Sequence, residues 1–130
     1  MEFSKEEMLE IMAVFKGESA EHLKTLNDSM VEIQKTPSNP AVIEVLHRTS
    51  HSMKGAARML SLTPIEQIGK ALEDGFKAAK DGKVVLDAGL ISVIREAIEG
   101  LHLLIEKLAS EGTTEGMDIT GLLTKLENFK

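Results

Sequence analysis

Residues 47–60 read His47-Arg48-Thr49-Ser50-His51-Ser52-Met53-Lys54-Gly55-Ala56-Ala57-Arg58-Met59-Leu60 and divide into two faces at helical spacing. The polar, mostly cationic face is centred on His51 and comprises Glu44, His47, His51, Lys54, Gly55 and Arg58. The opposite, mostly apolar face comprises Val42, Val45, Leu46, Thr49, Met53, Ala56 and Leu60. Because an amphipathic helix buries its apolar face against other elements, this stretch predicts a helical protein with His51 on its surface.

Composition limits the kinds of partner and site. The chain has 130 residues, enough for one domain with a core. Its net charge of −6 and its lack of a basic tract argue against binding to nucleic acid or anionic membranes. No apolar run approaches the length of a membrane span, so no membrane insertion is expected. The absence of cysteine excludes disulfides and thiolate metal sites and favours a cytoplasmic location.

Helical spacing recurs along the rest of the chain between helix-breaking segments. Ser4-Lys5-Glu6-Glu7 has the form of a capping box, and the prolines of residues 36–40 end the first helix. The side chains expected to cap the later helices are Asn39, Thr63, Asp87 and Asp118. The predicted helices span residues 4–35, 40–60, 64–81, 88–109 and 119–129.

The fold class follows from these periodicities. No segment alternates with period two for long, so essentially no sheet is expected. Four long amphipathic helices with short connections predict an all-α fold, an antiparallel up-down four-helix bundle with an additional C-terminal helix. Residues 1–130 are expected to form a single domain, because the loop at 110–116 is too short to divide the chain in two.

His51 has the surroundings that a phosphoryl-accepting histidine needs. Such a histidine must be open to solvent, neutral at the attacking nitrogen and held in one tautomer, with cations nearby to offset the charge of the product. Lys54 supplies a cation, and Arg58 is either a second one or an ordinary solvated side chain. Glycine in a helix interior costs about 1 kcal/mol relative to alanine. A requirement for space beside His51 would explain Gly55.

The segment His51-Ser52-Met53-Lys54-Gly55 resembles the His-x-x-Lys-Gly signature of histidine phosphotransfer (HPt) domains, in particular the N-terminal domain of chemotaxis-type (CheA-like) histidine kinases. Residues 15–23 and 72–83 resemble the first and third helices of that family. The resemblance implies that Glu73 accepts a hydrogen bond from the His51 imidazole and orients it. Lys70 occupies the place of a second histidine found in many chemotaxis kinases. This lysine could instead pair with Glu73 or with phosphoryl oxygens.

The resemblance also implies a function in a two-component, chemotaxis-like signalling system. His51 would accept a phosphoryl group from the ATP-binding domain of a histidine kinase and pass it to an aspartate of a response-regulator receiver. The chain has no phosphate-binding loop or nucleotide-binding signature. By itself it is therefore expected to be a phosphocarrier. The resemblance implies that it is part of a larger histidine protein kinase. The isolated domain is expected to be monomeric and to have no cofactor or metal.

Other interpretations stay open at this point. A non-catalytic helical adaptor could use the polar face around His51 only to bind a partner. His47 and His51 have the spacing of a helical zinc pair, but no third ligand is evident, and His47 is expected to be a surface neighbour of the site. Glu73 could be an ordinary surface carboxylate paired with Lys70 or Lys77.

Overall fold

The computed structural model describes residues 3–130, and within this range all regular secondary structure is helical. The helices are α1 (Lys5–Lys35), α2 (Pro40–Met59), α3 (Thr63–Lys80), α4 (Ala88–Glu111) and α5 (Thr120–Leu126). The all-α prediction is confirmed. The expected domain spans residues 1–130, and its first two residues lie outside the described ones.

Helices α1 to α4 form the bundle. Each packs against its neighbour in the chain, and α1 also packs against α4, which closes the ring. Short connections reverse the chain between successive helices, so the predicted antiparallel up-down arrangement is confirmed. The fully buried side chains of the interior include Leu26, Met30, Leu46, Met53, Ile68, Leu72, Phe76, Ile94 and Leu101. Among residues 3–130, none of the helices is long and apolar enough to cross a membrane.

Side-chain caps set where most of the helices begin. The Ser4 hydroxyl accepts the Glu7 backbone N–H, and the Glu7 carboxylate accepts the Ser4 N–H, both at 3.0 Å, as the capping box predicts. The side chains of Asn39 and Asp87 cap α2 and α4 as expected. The expected cap at Thr63 is wrong. Thr63 is itself the first residue of α3, and no side chain caps that helix.

The C-terminal segment covers one side of the bundle by packing on α3 and α4. Asp118 Oδ1 accepts the Thr120 N–H at 2.9 Å just before α5 begins. The helix ends earlier than the expected 119–129, because the last residues turn so that Phe129 is buried. The Phe129 ring meets Phe76 edge-on, with centroids 5.1 Å apart, and it fills the space that a Cβ at Gly75 would need.

Candidate functional site

A hydrogen-bonded cluster joins α2 to α3 on the surface of the bundle. One carboxylate oxygen of Glu73, on α3, contacts Nδ1 of His51 on α2. The other oxygen accepts a hydrogen bond from Nζ of Lys54 at 2.6 Å. An ionised carboxylate can only accept, so the proton of the neutral imidazole lies on Nδ1 in this contact. This leaves Nε2 as the ring nitrogen with a free lone pair.

Exposure differs sharply within this cluster. The His51 side chain is 65% exposed, whereas the side chains of Glu73 and Lys54 are 11% and 22% exposed. A second molecule can therefore reach the imidazole, while the carboxylate that contacts it is shielded from water. Hydrogen bonds to a shielded carboxylate are electrostatically stronger than the same bonds in bulk water. The arrangement therefore combines an accessible imidazole with a shielded carboxylate that is held by two hydrogen bonds.

Two opposing effects act on the ionisation of Glu73. Burial disfavours the charged carboxylate and acts to raise its pKa. The hydrogen bonds from Lys54 and His51, together with the positive charge of Lys54, outweigh burial and hold the pKa of Glu73 below its usual value. Glu73 is thus ionised at neutral pH and accepts hydrogen bonds from both side chains of α2.

Gly69 allows α3 to approach α2 closely at this site. A Cβ at Gly69 would lie 3.2 Å from the Cα of Lys54, closer than an ordinary van der Waals contact. The close approach brings the Glu73 carboxylate within reach of both His51 and Lys54. Sequence reasoning missed this role, although an interior helix glycine one turn before Glu73 was a visible signal.

Gly55 has the opposite surroundings. It lies in the interior of α2 one turn after His51, and, apart from the adjoining residues of α2 itself, no atom of residues 3–130 comes within 4 Å of the position that a Cβ would occupy. No packing contact within the described part of the chain therefore requires glycine here. A side chain at position 55 would project into the space beside the imidazole.

The charged neighbours of Glu73 on α3 do not join the cluster. Lys70 Nζ pairs with Asp74 at 3.0 Å, so the suggestion that Lys70 pairs with Glu73 is wrong. Lys77 pairs with Asp81 at 2.9 Å. These pairs lie on the solvent side of α3, whereas Glu73 faces α2 and is buried. The interpretation of Glu73 as an ordinary surface carboxylate is therefore also wrong.

His47 and Arg58 lie along α2 on either side of the cluster. Arg58 is exposed one turn beyond Lys54. His47 is half-buried one turn before His51, and its Nδ1 is buried without a hydrogen-bond partner in the described part of the chain. Residues 3–130 contain no group of at least three His, Asp or Glu side chains placed to hold a metal ion.

Comparison with known proteins places the chain in a family. The model of the Hpt domain family matches residues 10–111. The chemotaxis protein CheA of Borreliella burgdorferi is 26% identical over 129 residues, which cover 99% of this chain and 15% of that protein. This chain spans less than a fifth of the length of the curated relatives that it matches.

Solved structures share the fold. The phosphorylated P1 domain of CheA3, in complex with CheY6 from R. sphaeroides, superposes with a TM-score of 0.83 and 25% identity over 92% of this chain and 94% of that one. A histidine phosphotransfer domain of CheA solved in solution gives a TM-score of 0.85 and 25% identity, covering 94% and 92% of the two chains. The family model matches most of the chain and the architecture agrees, so this protein belongs to the Hpt domain family.

Proposed function

We propose that this chain is the phosphotransfer module of a chemotaxis-type histidine kinase, and that His51 carries the phosphoryl group. The observation that carries the proposal is the His51–Glu73 contact: an exposed imidazole whose Nδ1 is held by a buried carboxylate. Membership of the Hpt family and similarity to phosphotransfer domains of CheA support the same conclusion.

In the first transfer, the lone pair of His51 Nε2 attacks the γ-phosphorus of an ATP held by the kinase domain. The Nε2–P bond forms as the bond from phosphorus to the β,γ-bridging oxygen breaks, and ADP leaves. The ring keeps its proton on Nδ1 and becomes positively charged. The ionised carboxylate of Glu73 faces that proton and stabilises the charge as it develops.

In the second transfer, a carboxylate oxygen of an aspartate on the receiver attacks the phosphorus. The Nε2–P bond breaks, its electron pair returns to Nε2, and the neutral imidazole is restored. The open space over Gly55 admits the receiver to this side of the ring. The R. sphaeroides neighbour, a phosphorylated P1 domain in complex with CheY6, supports a response regulator as the partner.

The cations near His51 have separate roles in this proposal. Lys54 keeps Glu73 ionised through its hydrogen bond, and its charge also offsets that of the phosphoryl group. Arg58 and Lys70, both exposed beside the cluster, make secondary contacts with partner proteins. His47 borders the site on α2.

The wider setting is proposed from the relatives. This chain matches only a small part of each curated CheA relative, so we infer that a kinase with an ATP-binding domain supplies the phosphoryl group. The module works in the cytoplasm, forms a single domain over residues 1–130, and is a monomer when isolated. It needs no cofactor or metal of its own.

Phosphoryl labelling tests the proposal directly. The chain is incubated with a chemotaxis-type kinase catalytic domain and ATP labelled at the γ-phosphate, and a receiver domain is then added. We expect a label that survives base, is lost in acid and moves to the receiver. His51→Gln should abolish the label. His47→Gln, which changes the neighbouring histidine on the same helix, should retain it.

The opposite result identifies a different function. A kinase that phosphorylates a known phosphotransfer domain but leaves this chain unlabelled would contradict phosphoryl transfer. Binding of a partner without any labelling would indicate a helical adaptor instead. A label that persists in His51→Gln would place the phosphoryl group on another residue.

A further inference from the structure

Helix α3 is contacted on two different sides at glycines that lie close to Glu73, namely Gly69 and Gly75. Gly69 faces α2, where the Lys54 backbone comes within contact distance. Gly75 faces the C-terminal segment, where the Phe129 ring lies over it. Rotation by about 100° per residue separates these two contacts by more than a right angle around the helix axis. The segment of α3 that carries Glu73 is therefore enclosed between α2 and the end of the chain.

Phe129 is the anchor of that C-terminal segment. Its side chain is 1% exposed although it lies beyond the last residue of α5. Its ring packs edge-on against Phe76, and its backbone N–H donates to the Leu126 carbonyl at 2.9 Å. Leu126, in the last turn of α5, is buried beside it. The segment that follows α5 is thus fixed on α3 by apolar burial.

We propose that Phe129 is a positioning residue for Glu73. With Phe129 docked, α3 is held toward α2, and the Glu73 carboxylate stays within hydrogen-bond distance of His51 Nδ1. With Phe129 removed, α3 loses the apolar contact that the ring makes at Gly75 and Phe76, and the helix can shift relative to α2. Hydrogen bonds weaken steeply with distance and angle, so a small shift releases the imidazole. This inference rests on the proposed function in one respect: it takes the phosphorylation of His51 to depend on Glu73.

The ring tautomer of His51 reports this positioning separately from overall stability. Nitrogen-15 NMR of the full chain distinguishes the Nδ1–H form, which Glu73 selects, from the Nε2–H form. Phe129→Ala removes the anchor, and Gly75→Ala displaces it because the new Cβ would overlap the ring. Both variants should shift His51 toward the Nε2–H form and slow its phosphorylation about tenfold, as expected for a misplaced orienting group.

Matched variants separate positioning from general destabilisation. Ile33→Ala removes a fully buried side chain from α1, a helix whose backbone does not closely approach that of α3. It should lower stability and leave the His51 tautomer unchanged. Phe129→Leu, which keeps an apolar anchor, should give an intermediate shift and supplies a graded measurement if Phe129→Ala does not fold. An unshifted tautomer in folded Phe129→Ala, Phe129→Leu and Gly75→Ala would overturn the inference.

A double variant tests whether Phe129 acts through Glu73. In a Glu73→Gln background the orienting carboxylate is already lost, so adding Phe129→Ala should slow phosphorylation no further. If Phe129→Ala slows phosphorylation by the same factor in the Glu73→Gln background as in the wild-type background, Phe129 acts by another route and the inference is wrong. Failure to label the wild type at His51 would contradict the proposed function instead, and the tautomer measurement would still test the positioning.

Discussion

Gly55 and Gly69 are both interior helix glycines near Glu73, yet the space around them differs. Nothing lies within 4 Å of the Cβ position at Gly55, whereas at Gly69 that position is 3.2 Å from the Lys54 Cα. Glycine at position 69 thus serves the packing of α3 on α2, while the space beside position 55 is open. The comparison teaches that packing within the described chain explains glycine at position 69 but does not explain glycine at position 55.

The side chains of the two helices show the same contrast. His51 on α2 projects into solvent, and Glu73 on α3 is shielded and held by two hydrogen bonds. Under the proposed function, His51 must be accessible, because the phosphoryl group comes from another domain of the kinase and goes to a separate receiver. Orientation by Glu73 needs rigidity, because a carboxylate that moved freely would not select one tautomer. The site therefore combines an open half and a packed half.

Removing the carboxylate of Glu73, the shielded residue of the site, should have the largest effect on the rate at which His51 is phosphorylated. Glu73→Ala should slow phosphorylation of His51 by roughly tenfold to a hundredfold, because the imidazole loses the group that orients it. The bundle should stay folded, since Lys54 is partly exposed and its charge can turn to solvent. Labelling rates and circular dichroism measure the two effects. Asp74→Ala, which removes the adjacent exposed carboxylate, should leave the rate unchanged, and an unchanged rate in Glu73→Ala would remove Glu73 from the mechanism.

Filling the open space over Gly55 should block transfer of the phosphoryl group from His51 to the receiver. Gly55→Leu should slow passage of the phosphoryl group to the receiver by more than about tenfold through steric exclusion, with the fold intact. The measurement is the loss of label from pre-phosphorylated protein after the receiver is added. Gly121→Leu is the matched control, because Gly121 is also uncrowded but lies on α5, which does not pack on α2. Normal transfer by Gly55→Leu would show that this space is not needed.

Alanine at the two glycines should change stability in opposite directions. Gly55→Ala should raise the free energy of unfolding by about 0.5–1 kcal/mol through helix propensity, since the new methyl meets nothing. Gly69→Ala gains the same propensity but places its methyl against the α2 backbone, so we expect a net loss of about 1 kcal/mol. Urea unfolding of both variants measures the difference. Equal stabilisation by the two substitutions would mean that the close approach of α2 and α3 relaxes without cost.

Lowering the pH should reduce the free energy of unfolding gradually as Glu73 becomes protonated, and this effect should be smaller than those above. The pKa of Glu73 is lower in the folded protein than its ordinary value of 4.5, so the unfolded chain binds the proton more readily. The resulting stabilisation is fully present above pH 4.5 and is lost as pH falls through the lower pKa of the folded state. Urea unfolding across this range should show a shallower acid loss for Glu73→Gln than for the wild type. An acid loss in Glu73→Gln as steep as that of the wild type would contradict this contribution.

Much of the fold could be predicted because it depends on local chemistry. Prolines, capping side chains and apolar residues at helical spacing act on their own neighbours, so they gave the helices and the bundle class. The local rules failed at Thr63, where a threonine followed by proline suggested a cap but the helix already includes the threonine. They also failed at the end of α5, where burial of Phe129 turns the chain out of the helix.

The sequence predicted the part of the site that lies on one helix better than the contacts between helices, because local patterns act only over a few residues. His51, Lys54 and Gly55 lie on one helix, and their shared face follows from spacing alone. Whether Lys70 or His51 contacts Glu73 is not a local question, because Glu73 is on another helix. The family resemblance suggested Glu73, and the contact with His51 agrees with it. Spacing alone also allowed a pair with Lys70, which the structure contradicts.

The sequence by itself determined that the chain is a helical bundle and that its central polar face carries a histidine, because periodicity and capping act over a few residues. Only the tertiary structure decided that Glu73 is buried between helices, that Gly69 lets α3 approach α2, and that Phe129 lies over Gly75. These contacts join residues far apart in the chain, and their geometry depends on how whole helices pack rather than on local preference.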